Sequence, residues 1–311
     1  MIRSDFTRAA LGSLVAFAPA TLRAQTLGPL PAAATATEGD AIMWLSQSQG
    51  YFARAGIALD ISTVRTGEES AAALVAGKIV VCSMNSMSLA IAHQNGIDIK
   101  VIAGGGEWVR GRGGTQLMVL KSSPISTGSD FNGKTVAVNV LHGQPQISTM
   151  AWIDAHGGDS KTVHFIEIPF SSMQAALESG RVDGAPIPQP FATTAQATCR
   201  SLGLPNDAIG PAYLIGVYTV MASWAAANKD AARRMRSALF ACAHWYNTDP
   251  AASTDAVAAI TKQEPAQVAS SVRSFFGERV TPDLLQPVVD VGVRYGLLKT
   301  RFPASDLIAQ L

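Results

Sequence analysis

The sequence predicts an α/β protein of two similar lobes, each a mostly parallel sheet flanked by helices, joined by a hinge that the chain crosses twice. Three observations predict it. The phrase Ala72-Ala73-Leu74-Val75-Ala76-Gly77-Lys78 recurs 103 residues later as Ala175-Ala176-Leu177-Glu178-Ser179-Gly180-Arg181. Each copy closes a helix-like stretch and opens a short apolar run, 79–82 and 184–187. Strand-like and helix-like segments then alternate on both sides of the repeat, the pattern of βαβ units. Finally, helix-like segments gather after Tyr218, as they would in a chain that returns to cover its first lobe.

The first pass begins with a helix at 40–49, with Glu38 and Asp40 near its start and Gly50 as its stop. Leu59, Ile61 and Thr63 alternate with polar residues as a strand does. Thr66-Gly67-Glu68-Glu69 starts a helix that Gly77 ends. A buried strand at 79–83 leads through Met84-Asn85-Ser86, a capping sequence, into a helix ending at Asn95. Residues 99–103 form the next strand.

The second pass has strands at 135–139, 163–168 and 184–187 and helices at 146–156 and 171–179, with a loop at 141–145. Pro188-Gln189-Pro190 breaks the chain, and helical segments follow at 225–247, 255–262, 267–276 and 284–295. The crossings are expected near 120–123 and 214–219. They would divide the mature chain into lobe 1, residues 25–121 plus 217–311, and lobe 2, residues 122–216. Two lobes on a hinge can close around a ligand.

At 311 residues, with 48% hydrophobic and 15% charged residues, the chain can hold two real cores and does not read as disordered. Residues 1–24 read as a signal peptide: Arg3 and Arg8, an apolar stretch at 9–22, and Leu22-Arg23-Ala24 before Gln25. That stretch is too short to span a membrane, which takes about 20 residues. The expected location is the periplasm. Without the signal, 21 basic residues face 22 acidic ones and no basic cluster stands out, which leaves no footprint for nucleic acid. Cys82, Cys199 and Cys242 are too few and too widely spaced for a disulfide framework.

Several motifs are set aside on physical grounds. Residues 128–135 satisfy the nucleotide P-loop spacing, but the residues that follow Thr135 read as a strand, whereas a P-loop needs a helix there. There is no Gly-x-Ser-x-Gly or His-Glu-x-x-His, and the five histidines do not pair at metal-ligand spacing. No metal, cofactor or catalytic residue is expected.

The run Gln49-Gly50-Tyr51-Phe52-Ala53-Arg54-Ala55-Gly56-Ile57 resembles a signature of SsuA-like substrate-binding proteins of ABC transporters. This type II periplasmic-binding-protein group includes binders of aliphatic sulfonates, nitrate, taurine and thiamine-pyrimidine precursors. Ser123-Pro124-Ile125, residues 133–138 and residues 176–183 match it further, in the expected order. The resemblance implies a solute held between the lobes at the C-terminal ends of strands, where helix starts favour anions and strong acceptors. The ligand-binding residues it suggests are Gly39, Asp40 and Trp44; Asn85 and Ser86; Trp108; His142, Gly143 and Gln144; and Gln189. For Asn85 and Ser86, plain helix capping is the other reading. For Trp108 it is interlobe packing, and for His142 and for Arg110 and Arg112 it is solvent exposure.

The family commonly has Glu-Pro where this chain has Gln189-Pro190. Loss of that negative charge favours an anionic solute. The expected partners are therefore a small solute (sulfonate, carboxylate, nitrate-like ion or pyrimidine) and a membrane permease, served by a monomer. The alternatives are an α/β enzyme processing a small molecule, with His142 as base, and a ligand-sensing interaction protein using the same cleft.

Overall fold

The computed structural model describes residues 29–64, 67–112, 114–189 and 191–311, so the signal peptide read at 1–24 lies outside the described residues. In chain order the first lobe begins with β1 (Leu30–Thr35), α1 (Ala41–Ser48), α2 (Tyr51–Arg54), β2 (Leu59–Val64) and α3 (Gly67–Val75). It continues with β3 (Val81–Asn85), α4 (Ser86–Gln94) and β4 (Ile99–Gly104). A short strand, β5 (Glu107–Val109), leads into the second lobe. There follow β6 (Gln116–Leu120), β7 (Thr135–Val138), α5 (Gln144–Ala155), β8 (His164–Glu167), α6 (Phe170–Glu178), β9 (Ala185–Ile187), α7 (Phe191–Ala195) and β10 (Cys199–Gly203). The return runs through β11 (Ala212–Leu214) to β12 (Gly216–Met221). The chain ends with α8 (Ala222–Ala227), α9 (Lys229–Thr248), α10 (Thr254–Thr261), α11 (Pro265–Ser270) and α12 (Pro282–Arg294).

The two lobes repeat one topology. The first sheet has the order β2-β1-β3-β12-β4, with only β12 antiparallel to its neighbours. In the second, β7 pairs with β8, and β6 pairs with β9 and β10. A parallel bridge between Val136 and Gly184 joins the two groups, giving the order β8-β7-β9-β6-β10 with only β6 reversed. The reversed strand in each sheet is the one that arrives from the other lobe.

The sequence repeat falls on equivalent positions. α3 and α6 each end in a glycine with positive φ, 68° at Gly77 and 70° at Gly180. Both ends make the same pair of closing bonds: Gly77 N to Leu74 O (3.1 Å) and Lys78 N to Ala73 O (2.9 Å), against Gly180 N to Leu177 O and Arg181 N to Ala176 O (both 3.0 Å). A left-handed glycine with bonds of this pattern is a Schellman cap. It turns the chain directly into the third strand of each sheet, β3 or β9.

Strand alternation builds a core on both faces of each sheet. Ala32 and Ala34 of β1 face the core made with α1 and α9, while Ala33 joins the core under α4 and α12. In the second sheet Met118 and Ala137 face one core, and Leu117, Val119 and Val136 face the other.

The crossings lie elsewhere than expected. β6, residues 116–120, falls in lobe 1 by the expected division, yet it pairs entirely within the second sheet. β12, expected to be the second crossing, is a buried strand of the first sheet. The chain passes between lobes at 105–115 and 204–215, where β5 and β11 form an antiparallel ribbon pairing Trp108 with Tyr213. Apolar runs such as Leu117-Met118-Val119 say that a strand is buried, not in which sheet. Where the two passages meet, Gly105 N donates to Gly216 O at 2.9 Å, and a Cβ on Gly105 would sit 2.9 Å from that oxygen. Only glycine allows so close an approach.

Two helix expectations also change. The segment 225–247 is broken at Asn228, between α8 and α9. The helix expected at 267–276 stops at Ser270, and Phe276 instead bridges Gly106 of the first passage. Thr135 opens β7, so the residues with P-loop spacing lead into a strand as expected.

Candidate functional site

The loops after β1, β3, β7 and β9 carry most of the residues expected to meet a solute, and each is held by a specific local device. After β1 the chain makes a 3-10 turn, Glu38–Asp40, that leads into α1. Asp40 does not cap the amides of α1. Its Oδ2 turns back and accepts from Thr35 N (3.2 Å) and from the Thr35 hydroxyl. Burial pushes the Asp40 carboxyl above the usual carboxylate range, against the lowering effect of the Thr35 bonds. Trp44 is half-buried against the first core, and its indole Nε1 donates to Thr35 O at 3.1 Å. Thr35 is thus clamped by Asp40 and Trp44, and Trp44 packs rather than presenting a free ring. Gly39 is exposed.

The loop after β3 is spent on structure. Asn85 Oδ1 accepts from Ser88 N and its Nδ2 donates to Ser88 Oγ, both at 2.8 Å, so Asn85 is the side-chain cap of α4. Ser86 is buried; its N donates to Ile215 O (2.9 Å) and its hydroxyl to Leu214 O (2.6 Å). Its hydroxyl proton serves the second passage between lobes, which the sequence did not disclose.

The loop after β7 leads into α5. His142 is exposed with φ 60°, and its N donates to Gln146 Oε1 at 2.7 Å. Gly143 is the N-cap, and a Cβ there would lie 2.4 Å from Val140 Cγ1. Gln144 is 2% exposed; its Nε2 donates to the Tyr213 hydroxyl at 3.1 Å, while Oε1 has no partner. That bond ties the start of α5 to the hinge ribbon. After β9, Gln189 Oε1 accepts from the Thr193 hydroxyl at 2.8 Å.

Trp108 departs most from expectation. It sits in the middle of β5, 2% exposed, inside the core that α12 covers, and its Nε1 has no partner. An indole enclosed in this way is hinge packing and not a platform open to a solute ring. Arg110 is tied to Asp207, donating to its carbonyl at 3.0 Å. Arg112 stacks on Phe275, 4.3 Å from the ring centroid.

Two groups at these loops were missed. Asn139, directly after β7, has a buried Oδ1 without a partner. Its signal was available: Asn85 and Asn139 both close a buried strand just before a helix-leading loop. The other is the anchor of the β1 loop. Glu38 is 2% exposed, and its carboxylate takes Arg273 Nε at 2.7 Å, the Tyr246 hydroxyl and Ser274 N at 3.3 Å. Glu38 reads in the sequence only as an acidic helix start.

Most of the polar side chains at these loops are taken up by internal bonds: Asn85 caps α4, Ser86 and Gln144 brace the second passage, and Gln189 takes the Thr193 hydroxyl. The three cysteines are free and buried, and burial lifts the Cys82 and Cys242 thiols to about 12. Among the described residues no group of three or more His, Cys, Asp or Glu could hold a metal ion.

Two lobes of one topology on a double-crossing hinge define the periplasmic-binding-protein class of fold. The chain belongs to the NMT1/THI5 like family, whose model matches residues 40–253. Solved structures agree on the fold. The periplasmic aliphatic sulphonate binding protein SsuA from Escherichia coli is 17% identical with a TM-score of 0.73, over 91% of this chain and 92% of that one. The alkanesulfonate-binding protein SsuA from Xanthomonas axonopodis pv. citri, bound to MOPS, is 16% identical with a TM-score of 0.75, over 92% and 99%. The desulfurization enzyme DSZB is 17% identical with a TM-score of 0.62, over 90% and 96%. No curated protein matches the chain.

Proposed function

We propose that this protein is the solute-binding component of an ABC importer. It captures a small organic solute between its lobes and delivers it to a membrane permease. The observation that carries the reading is the duplicated lobe: α4 follows β3 directly and α5 follows the loop after β7, one helix start in each lobe. Such helix starts attract anions and strong acceptors. Family membership and the SsuA structures, which are sulfonate binders, support the same role.

The solute class that fits is a small anion or strong acceptor, such as a sulfonate or carboxylate, with nitrate-like ions and pyrimidines next. Neutral carboxamides, Gln144 and Gln189, stand at the lobe 2 loops. Closure around the solute works only if it binds the closed form better than the open one. The signal peptide read at 1–24 supports a periplasmic location. A monomer is the form proposed for it. The DSZB match keeps an enzyme reading in view. Against it, all three cysteines are buried.

A thermal-shift screen of the chain from Gln25 onward against these solute classes tests the proposal. A true solute at about 100 times its dissociation constant stabilises by about 2.7 kcal/mol. A saturable shift with the solute recovered unchanged supports the binding role. A solute consumed during incubation would transfer the assignment to an enzyme, and no shift from any class would remove it.

A further inference from the structure

A cavity of about 340 Å³ opens at the opposite end of α5 from the solute-facing loops. Its walls are Trp152 and Ala155 of α5, His156 just beyond it, Gly203 at the end of β10, and Asp207 and Ala208 of the second passage between lobes. From Gln144 to Trp152 the helix rises about 12 Å, so this cavity is separate from the cleft. Its volume falls within the range of small-molecule sites, about 300–1,000 Å³.

The lining is chemically specific. The His156 ring stacks on the Trp152 indole, centroids 4.0 Å apart and planes 18° apart. His156 Nδ1 meets Trp152 O at 2.7 Å. A carbonyl only accepts, so Nδ1 carries the proton there and Nε2 stays outside that bond. His156 is exposed, leaving its outer face free to take a further ring. Asp207 supplies the polar anchor. Its Oδ1 is shielded from solvent and has no hydrogen-bond partner. Arg110 does not fill that place: its Nε is 3.8 Å away, and it hydrogen-bonds the Asp207 carbonyl instead. The Arg110 side chain is 58% exposed, so solvent screens its charge. The Asp207 side chain is itself 37% exposed and lines the cavity, so its carboxylate is open to a ligand, and a cationic N–H donor is the group that pairs with it best.

We infer that this hinge-side cavity is a second ligand site, taking a planar aromatic molecule that bears a cationic N–H donor group. The ring lies on the outer face of His156, extending its stack on Trp152, and the donor group reaches the exposed part of the Asp207 carboxylate.

Benzamidine is a suitable probe, with benzoate as the same ring carrying the opposite charge. The readout is the indole N–H resonance of Trp152 in the ¹⁵N-labelled mature protein, assigned by its loss in Trp152→Phe. Benzamidine is expected to shift this resonance saturably and benzoate to leave it in place. Asp207→Asn should weaken benzamidine about tenfold or more through loss of the charge-assisted bond. Ala155→Leu, which fills the mouth of the cavity without touching Asp207, should weaken it as well and guards against a folding defect in the first variant. No saturable shift, equal binding of benzoate, or full affinity in both variants would overturn the assignment.

Discussion

Arg273 and Glu38, 235 positions apart in the chain, meet at 2.7 Å in a site where their side chains are 13% and 2% exposed. Arg273 also donates to Pro250 O and Ser253 Oγ, both at 3.0 Å, and lies 4.9 Å from the centroid of the Tyr246 ring. The pair pins the C-terminal segment after α11 to the loop that follows β1. It also explains why the helix expected at 267–276 stops early: Arg273 and Ser274 are drawn into bonds with Glu38 instead of a further helical turn. Glu38→Ala leaves Arg273 partly buried without its carboxylate and should cost about 3–5 kcal/mol in urea unfolding. A loss below about 1 kcal/mol would place this pair with surface ion pairs.

Gly143→Ala tests the packing at the start of α5. The added methyl would meet Val140 Cγ1 at 2.4 Å, so the loop after β7 must shift. Overpacking of this kind costs about 1–3 kcal/mol. Solute affinity should fall with it, because Gln144 is displaced from Tyr213. Unchanged stability together with unchanged affinity would show that the loop yields freely.

Two aspartates should respond to pH with opposite signs. Burial holds Asp40 above its ordinary value of 3.8, so the folded state binds this proton more tightly than the unfolded chain does. The ionised Asp40 therefore disfavours the fold, and the penalty grows as pH rises through 3.8 to the folded value and stays constant above it. Asp40→Asn should gain stability relative to the parent between acid and neutral pH.

Bonds from Ser126 N, Thr127 N and the Thr127 hydroxyl hold Asp130 down at about 2. Its contribution is present above 3.8 and lost as pH falls toward about 2. Asp130→Asn should therefore lose stability at neutral pH and converge on the parent in acid. Urea midpoints across pH for both variants check this, and two parallel curves would refute it.

The cysteines should be silent in the folded protein. With thiols lifted to about 12, Cys82 and Cys242 are thiolate in only about one molecule in 10⁴ to 10⁵ at neutral pH. A thiol reagent should label all three cysteines in denaturant and essentially none in native buffer. Rapid native labelling would reveal an accessible thiol and revive the enzyme reading.

The repeat at Gly77 and Gly180 carried the fold in plain view, because a left-handed helix cap and the buried strand after it are local features with residue-level signals. The helix start at Asn85 was legible for the same reason, whereas α5 begins at Gln144, two residues before the start expected at 146. Strands whose pairing is set at a distance were not. β1, β6, β10 and β12 are short apolar or mixed runs, and nothing within them says which sheet they enter. Trp108 illustrates the limit for the site. The sequence left Trp108 open between ligand contact and interlobe packing; Gly105 allows the close approach of the two passages, and the indole is buried with α12 and Tyr213.

The sequence by itself determined the α/β class, the duplication, the helix caps and the family, since each rests on neighbours within a few residues or on motif order. The tertiary structure alone decided where the lobes divide, that Ser86 and Gln144 brace the hinge, and that Glu38 anchors its loop through Arg273. Those outcomes depend on partners between 69 and 235 positions away. Hydrogen-bond satisfaction of buried groups, which selects such partners, is a property of the assembled chain and not of any segment.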